Sequence, residues 1–242
     1  MPTTLDLASV AVLAIAWPLY EHFLDWPAFQ RRVRRDPSPA RLLEYRSSIL
    51  IQWIFAAAVI AIWVRAGRSW TTLRLSAPTG WRLWMGIVLV VGFAALQGWQ
   101  LTAIAHSPAT KAHLRKRFGE MELAALLPRT GMELGWMFAL SLTAGFVEEL
   151  LFRGYVVAAM APWWTWWGAA AFSVAAFGVL HAYQGRAGIV RTAAVGAALT
   201  LLVAATRSLI PAMVLHALAD IASGTAGWLA LSDQPAAHPA SG

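Results

Sequence analysis

The chain has 242 residues, of which 59% are hydrophobic and 13% charged, with a formal net charge of +7. With a mean hydropathy of +0.57, it is more apolar than a soluble domain and falls in the membrane class. It contains no cysteine, which excludes disulfides, thiolate metal ligands and a cysteine nucleophile.

A helix needs about 20 residues to cross about 30 Å of hydrocarbon. Apolar runs at 5–24, 47–64, 81–105, 132–160, 163–183, 188–206 and 209–231 therefore predict an all-α, polytopic transmembrane helical bundle of about seven helices. The reading is a single domain over 1–242, with a motif-bearing core at 132–231 and a disordered tail at 232–242, where Pro, Ala and polar residues dominate. The first run lacks a basic n-region, and Glu21 and His22 stand where a small-residue cleavage site is expected. It reads as a first span rather than a cleaved signal.

Arg31, Arg32, Arg34, Arg35, Arg41 and Arg46 follow the first run, and Lys111, Arg115, Lys116, Arg117 and Arg129 follow the third. Both segments read as cytoplasmic loops, with Arg186 and Arg191 on the same side and Arg65, Arg68, Arg74, Arg82 and Arg207 on the other. This predicts an outside N-terminus in the cell (inner) membrane. Because the arginines lie between apolar runs rather than along one polar face, the expected partner is membrane lipid and not nucleic acid. Between Ser107 and Arg129, cations alternate with Leu114, Phe118 and Met121, a pattern of a helix lying in the interface or of a solvated linker. The 14 tryptophans cluster near run ends, as at Trp163, Trp164, Trp166 and Trp167, and read as an aromatic belt.

Chemistry concentrates in the second half. A carboxylate inside an apolar helix costs several kcal/mol, so the adjacent Glu148 and Glu149 demand a reason. Glu149 and Arg153 are four apart with the acid first, the favourable order for an ion pair. Glu148 is rotated by about 100° from that pair and is left as the free base, suited to taking a proton from water in a partly wet cavity. Phe177 and His181 share a helix face one turn apart, and so do His216 and Asp220. Two imidazoles and a carboxylate make a Zn2+ set, which Glu148, His181, His216 and Asp220 can supply with a second carboxylate to spare, and the same groups can activate water without metal.

These residues resemble a known family. EELLFR at 148–153 resembles the EExxxR motif of the CAAX-processing (CPBP, or Abi) intramembrane endopeptidases, FGVLH at 177–181 resembles FxxxH, and HALAD at 216–220 resembles the closing HxxxN or HxxxD, all in the family's order. The resemblance implies hydrolysis of a peptide bond in a membrane-associated peptide or protein, as in the eukaryotic enzyme that trims three residues after a prenylated cysteine. It implies that Glu148 and His181 activate water and that His216 and Asp220 stabilise the oxyanion, with Glu149, Arg153 and Phe177 supporting. An anionic Asp220 in place of Asn opposes an oxyanion, so it is expected to orient His216, to be protonated or to bind a metal. HExxH, GxGD and GxSG motifs of other intramembrane proteases are absent. Intramembrane Glu, His, Asp and Arg also mark ion pathways, so a non-proteolytic transporter, or an immunity or scaffold protein using the same cavity, is the alternative; the oligomeric state has no signature. Straight helices would also put Glu148, His181 and His216 at depths differing by about 10 Å, which requires tilted or broken spans, with Gly178, Gly185 and Gly188 as the expected breaks.

Overall fold

A computed structural model describes residues 1–119 and 121–232; residues 233–242, and with them almost all of the expected tail, lie outside. Among the described residues every regular element is a helix, and six stretches are long and apolar enough to cross a membrane. One of these, Gly131–Leu180, is 50 residues long and turns back on itself, which gives the seven helices expected.

Helix α1 runs over Thr4–Arg35, eleven residues past the expected end. Two π-helical turns interrupt it, at Val12–Ala16 and Glu21–Asp25, each followed within two residues by a proline, Pro18 and Pro27. A proline lacks the N–H for the preceding carbonyl and its ring crowds that oxygen, and widening to a π turn relieves both. The chain breaks only at extended Asp36 before α2, Pro37–Arg65. The expected basic loop is therefore two helix ends. Arg32 donates to Glu44 at 2.8 Å, Arg41 to Glu133 at 3.0 Å, and Arg46 lies 4.5 Å from the ring centroid of Trp136.

Helix α3 (Trp81–His106) leads into α4 (Pro108–Gly119), so the segment after the third run is a helix and not a linker. Its Leu114 and Phe118 pack on Leu127, Ala230 and Leu231. Helices α5 (131–164) and α6 (166–180) form a hairpin, followed by α7, Gly185–Thr206, and α8, Ile210–Leu231. The core lies where these four meet α2, around Trp63, Val147, Phe152, Tyr155, Phe177 and Val203. Leu50, Trp84, Val88, Trp99 and Leu142 face outward, as lipid contact requires.

Pro162 does not end the helix, although the sequence reading divides the two spans there. The reversal is at Thr165, whose φ of 65° and ψ of 165° lie in a region that only glycine enters without strain. Thr165→Gly should raise stability by about 1 kcal/mol, the strain relieved less the added freedom of the unfolded glycine, read as a rise in melting temperature in detergent. Of the three glycines expected to break spans, only Gly185, with φ of 77°, separates two elements. Gly178 and Gly188 are inside helices. Gly178 instead lets α6 approach α7, since a Cβ there would stand 2.9 Å from that of Ala193.

The end of the bundle away from the arginine-rich helix ends is tied by Asp6, which is fully buried. It accepts from both Nη atoms of Arg68, at 2.8 and 2.5 Å, from Tyr155 Oη at 2.9 Å and from the amide of its own capping residue, Thr3. The bonds to Asp6 push the Arg68 pKa above its usual value. This fastens α1 and the α2–α3 loop to α5.

Candidate active site

The hairpin sets the register of the site. Phe152 and Phe177 meet across it with ring centroids 5.2 Å apart, and Ser173 Oγ donates to the Phe152 carbonyl at 2.7 Å. One turn further from the reversal, Glu148 on α5 and His181 at the end of α6 come to the same level. The depth mismatch of straight spans vanishes because α6 is short. Helix α8 is then brought against α5 at Gly145, where a Cβ would lie 2.7 Å from both Cβ and N of Ala217. Those atoms are too rigid to yield, so Gly145→Ala should push α8 away and cost about 1–3 kcal/mol, read by thermal unfolding together with cleavage.

The segment Leu150–Val156, directly after the paired glutamates, is π-helical, a local widening frequent at functional sites. Glu149 has no exposed surface. Its Oε1 accepts from Arg153 Nη1 at 3.0 Å and stands 3.0 Å from His216 Nδ1. A carboxylate only accepts, so that ring nitrogen carries the hydrogen. Arg153 lies 4.1 Å from the centroid of Phe177, and its Nε donates to Thr200 Oγ1 at 3.4 Å. A Cβ at Gly196 would meet its Nη2 at 2.5 Å, so α7 makes room for the guanidinium with a glycine.

Glu148 differs from its neighbour. Its side chain keeps 14% of its surface exposed and its Oε2 is 3.8 Å from His216 Nε2, while its Oε1 accepts from Gln52 Nε2 on α2 at 3.2 Å. Asp220 Oδ2 lies 3.6 Å from the same His216 nitrogen, with 39% of the side chain exposed. His216 therefore stands among Glu148, Glu149 and Asp220. The residue that fixes its Nδ1 is Glu149, whereas Asp220 faces Nε2. His181 joins through the aromatic ring between them: Phe177 is 4.8 Å from His181 and 6.0 Å from His216, centroid to centroid. His181 Nδ1 is 2.8 Å from the Phe177 carbonyl, which only accepts, so Nδ1 carries the hydrogen, and in the neutral ring Nε2 keeps the lone pair. Among the described residues His181 has no hydrogen bond or ion pair to Glu148. Tyr183 packs on His181 at 5.9 Å and on Trp26 of α1 at 5.0 Å.

Among the described residues, a groove of about 230 Å³ is lined by His22 and apolar residues of α1 with Val179 and Ala182, beside His181, and another of about 190 Å³ by Ala28, Arg31, Arg32 and Arg35. The carboxylates line neither, and reach solvent through the exposed parts of Glu148 and Asp220. Among the described residues no three His, Asp or Glu side chains converge as a metal-binding group, and Nδ1 of both histidines is committed to protein acceptors.

Residues 130–222 match the family model described as type II CAAX prenyl endopeptidase, Rce1-like. That segment belongs to the Rce1-like family. No curated protein and no solved structure matches the chain. The Rce1-like segment runs from the capping residue of α5 into α8 and holds Glu148, Glu149, Arg153, Phe177, His181, His216 and Asp220. With six membrane-length apolar helical stretches among the described residues, the chain around it is a multi-pass membrane protein. Sequence reasoning missed Gln52 and Thr200, neutral polar residues in apolar runs whose only signal was that polarity, and Glu149 as the partner of His216.

Proposed function

We propose that the chain is an endopeptidase that hydrolyses a peptide bond of a membrane-associated peptide, with Glu148 and His181 activating water. The observation that carries this is the division between the two glutamates. Glu149 is consumed by Arg153 and His216, whereas Glu148 keeps an accessible carboxylate beside an imidazole nitrogen. A water between Glu148 and the Nε2 lone pair of His181 gives a proton to Glu148 as its oxygen attacks the carbonyl carbon. The electrons of the C=O bond move to oxygen; they return as C=O re-forms and the C–N bond breaks, and Glu148 gives the proton to the leaving amine.

His216 serves the oxyanion. With Nδ1–H held by Glu149, its Nε2 is the atom turned toward the reacting centre, and a hydrogen there stabilises the developing charge. Asp220 flanks that nitrogen on the exposed side and orients it. None of these steps needs a metal.

The test is cleavage of a quenched membrane-peptide library by purified protein, run beside Glu148→Gln and His181→Ala, with and without chelator. Cleavage lost in both variants and kept with chelator is the expected result. Undiminished cleavage in either variant sinks the assignment, and loss with chelator sinks the metal-free form.

A further inference from the structure

We infer that Gln52, outside the Rce1-like segment, is a positioning residue that sets the orientation of the Glu148 carboxylate. The inference rests on Glu148 being the base of the proposed hydrolase.

Gln52 is the one polar side chain in the run from Ile49 to Val64, ILIQWIFAAAVIAIWV. An amide in such a run is unfavourable unless hydrogen-bonded. Its single polar contact among the described residues is the bond from Nε2 to Glu148 Oε1, at 3.2 Å. The assignment of nitrogen and oxygen follows from chemistry, since only the NH2 group can donate to a carboxylate. The other amide atom, Oε1, is buried with no partner. Nothing else in the fold accounts for the amide: a methionine or leucine would fill the space and remove the orphaned acceptor.

The geometry gives the bond a purpose. Glu149 is fixed by two hydrogen-bonding partners, whereas Glu148 has no bond to Arg153 and stands 3.8 Å from His216 Nε2, beyond hydrogen-bond distance, so Gln52 is its one hydrogen-bond partner among the described residues. Gln52 takes one carboxylate oxygen and leaves Oε2, the atom that faces His216, to receive the proton. Helix α2 can hold that position because it packs along α5, with Trp53 stacked on Phe146 at 5.7 Å one residue further on.

The experiment compares wild type, Gln52→Met and Glu148→Gln for kcat and KM on one cleaved peptide, for thermal stability, and for the infrared carboxyl band of residue 148, isolated by subtracting the Glu148→Gln spectrum. Methionine keeps the length and removes the donor. The expected result is a kcat lower by about 10- to 100-fold, the loss of one hydrogen bond to a charged group, with KM within about twofold, stability retained and the band displaced. A kcat within about twofold of wild type, a change carried by KM, or an unmoved band overturns the inference. The band needs no substrate, so an unmoved band decides even if no peptide is cleaved. Cleavage retained by Glu148→Gln overturns the hydrolytic reading and this inference together; cleavage lost there but intact in Gln52→Met overturns this one alone.

Discussion

Replacing Glu148 with glutamine lowers kcat by about 10²- to 10⁴-fold, the usual contribution of a general base, while the protein stays folded. The substitution keeps the shape of the side chain. Glutamine still accepts from Gln52 through Oε1 but cannot take a proton from water. Because the wild-type carboxylate takes no part in the Glu149–Arg153 pair and the bond from Gln52 is kept, the substitution removes only the charge 3.8 Å from His216 Nε2, and the melting temperature should move little. Purified variant and wild type are compared by peptide cleavage and by unfolding followed through tryptophan fluorescence. A variant that unfolds, rather than one that folds and is inactive, would assign Glu148 to the architecture instead of the chemistry.

The opposite pattern is expected one helix position away. Arg153→Met leaves Glu149, without exposed surface, as a buried charge with only His216 beside it, and should cost about 3–5 kcal/mol of stability. Exchanging both members for apolar residues, Glu149→Leu with Arg153→Met, should recover most of that loss, because the penalty lies in the unmatched charge rather than in the missing pair. Cleavage should not recover, since His216 then lacks the acceptor that holds Nδ1. Unfolding in detergent reads the first effect and peptide cleavage the second. A double variant that regains cleavage would show that Glu149 does not position His216.

The division between these glutamates was legible in the sequence because charge in an apolar run has few explanations. Spacing on a helix then separated the residue with a partner four positions on from the one without. His181 and His216 were legible for the same reason, though not how they meet. That depended on the reversal at Thr165 and on the short α6, which a reading in whole membrane spans hides. Pro162 drew the boundary in the reading because proline usually ends a helix, yet here the helix runs through it. The arginines from Arg31 to Arg46 looked like a loop since they interrupt the apolar pattern, but Glu44 and Glu133, far apart in sequence, pair two of them and let both helices continue. Gln52 carried too weak a signal, as a neutral amide becomes informative only when its one partner is seen.

The ion pair inside α5 also bears on how the chain is made. Synthesis delivers Glu149 and Arg153 to the bilayer before α7 and α8 exist, when neither Thr200 nor His216 is there to meet them. Because the two charges are one turn apart on the same helix, they neutralise each other as soon as that turn winds, and the nascent segment enters lipid as a dipole instead of as separate ions. Asp6 has no such local cation: it must wait for Arg68, 62 residues later, so the first span is secured only after the second has been delivered.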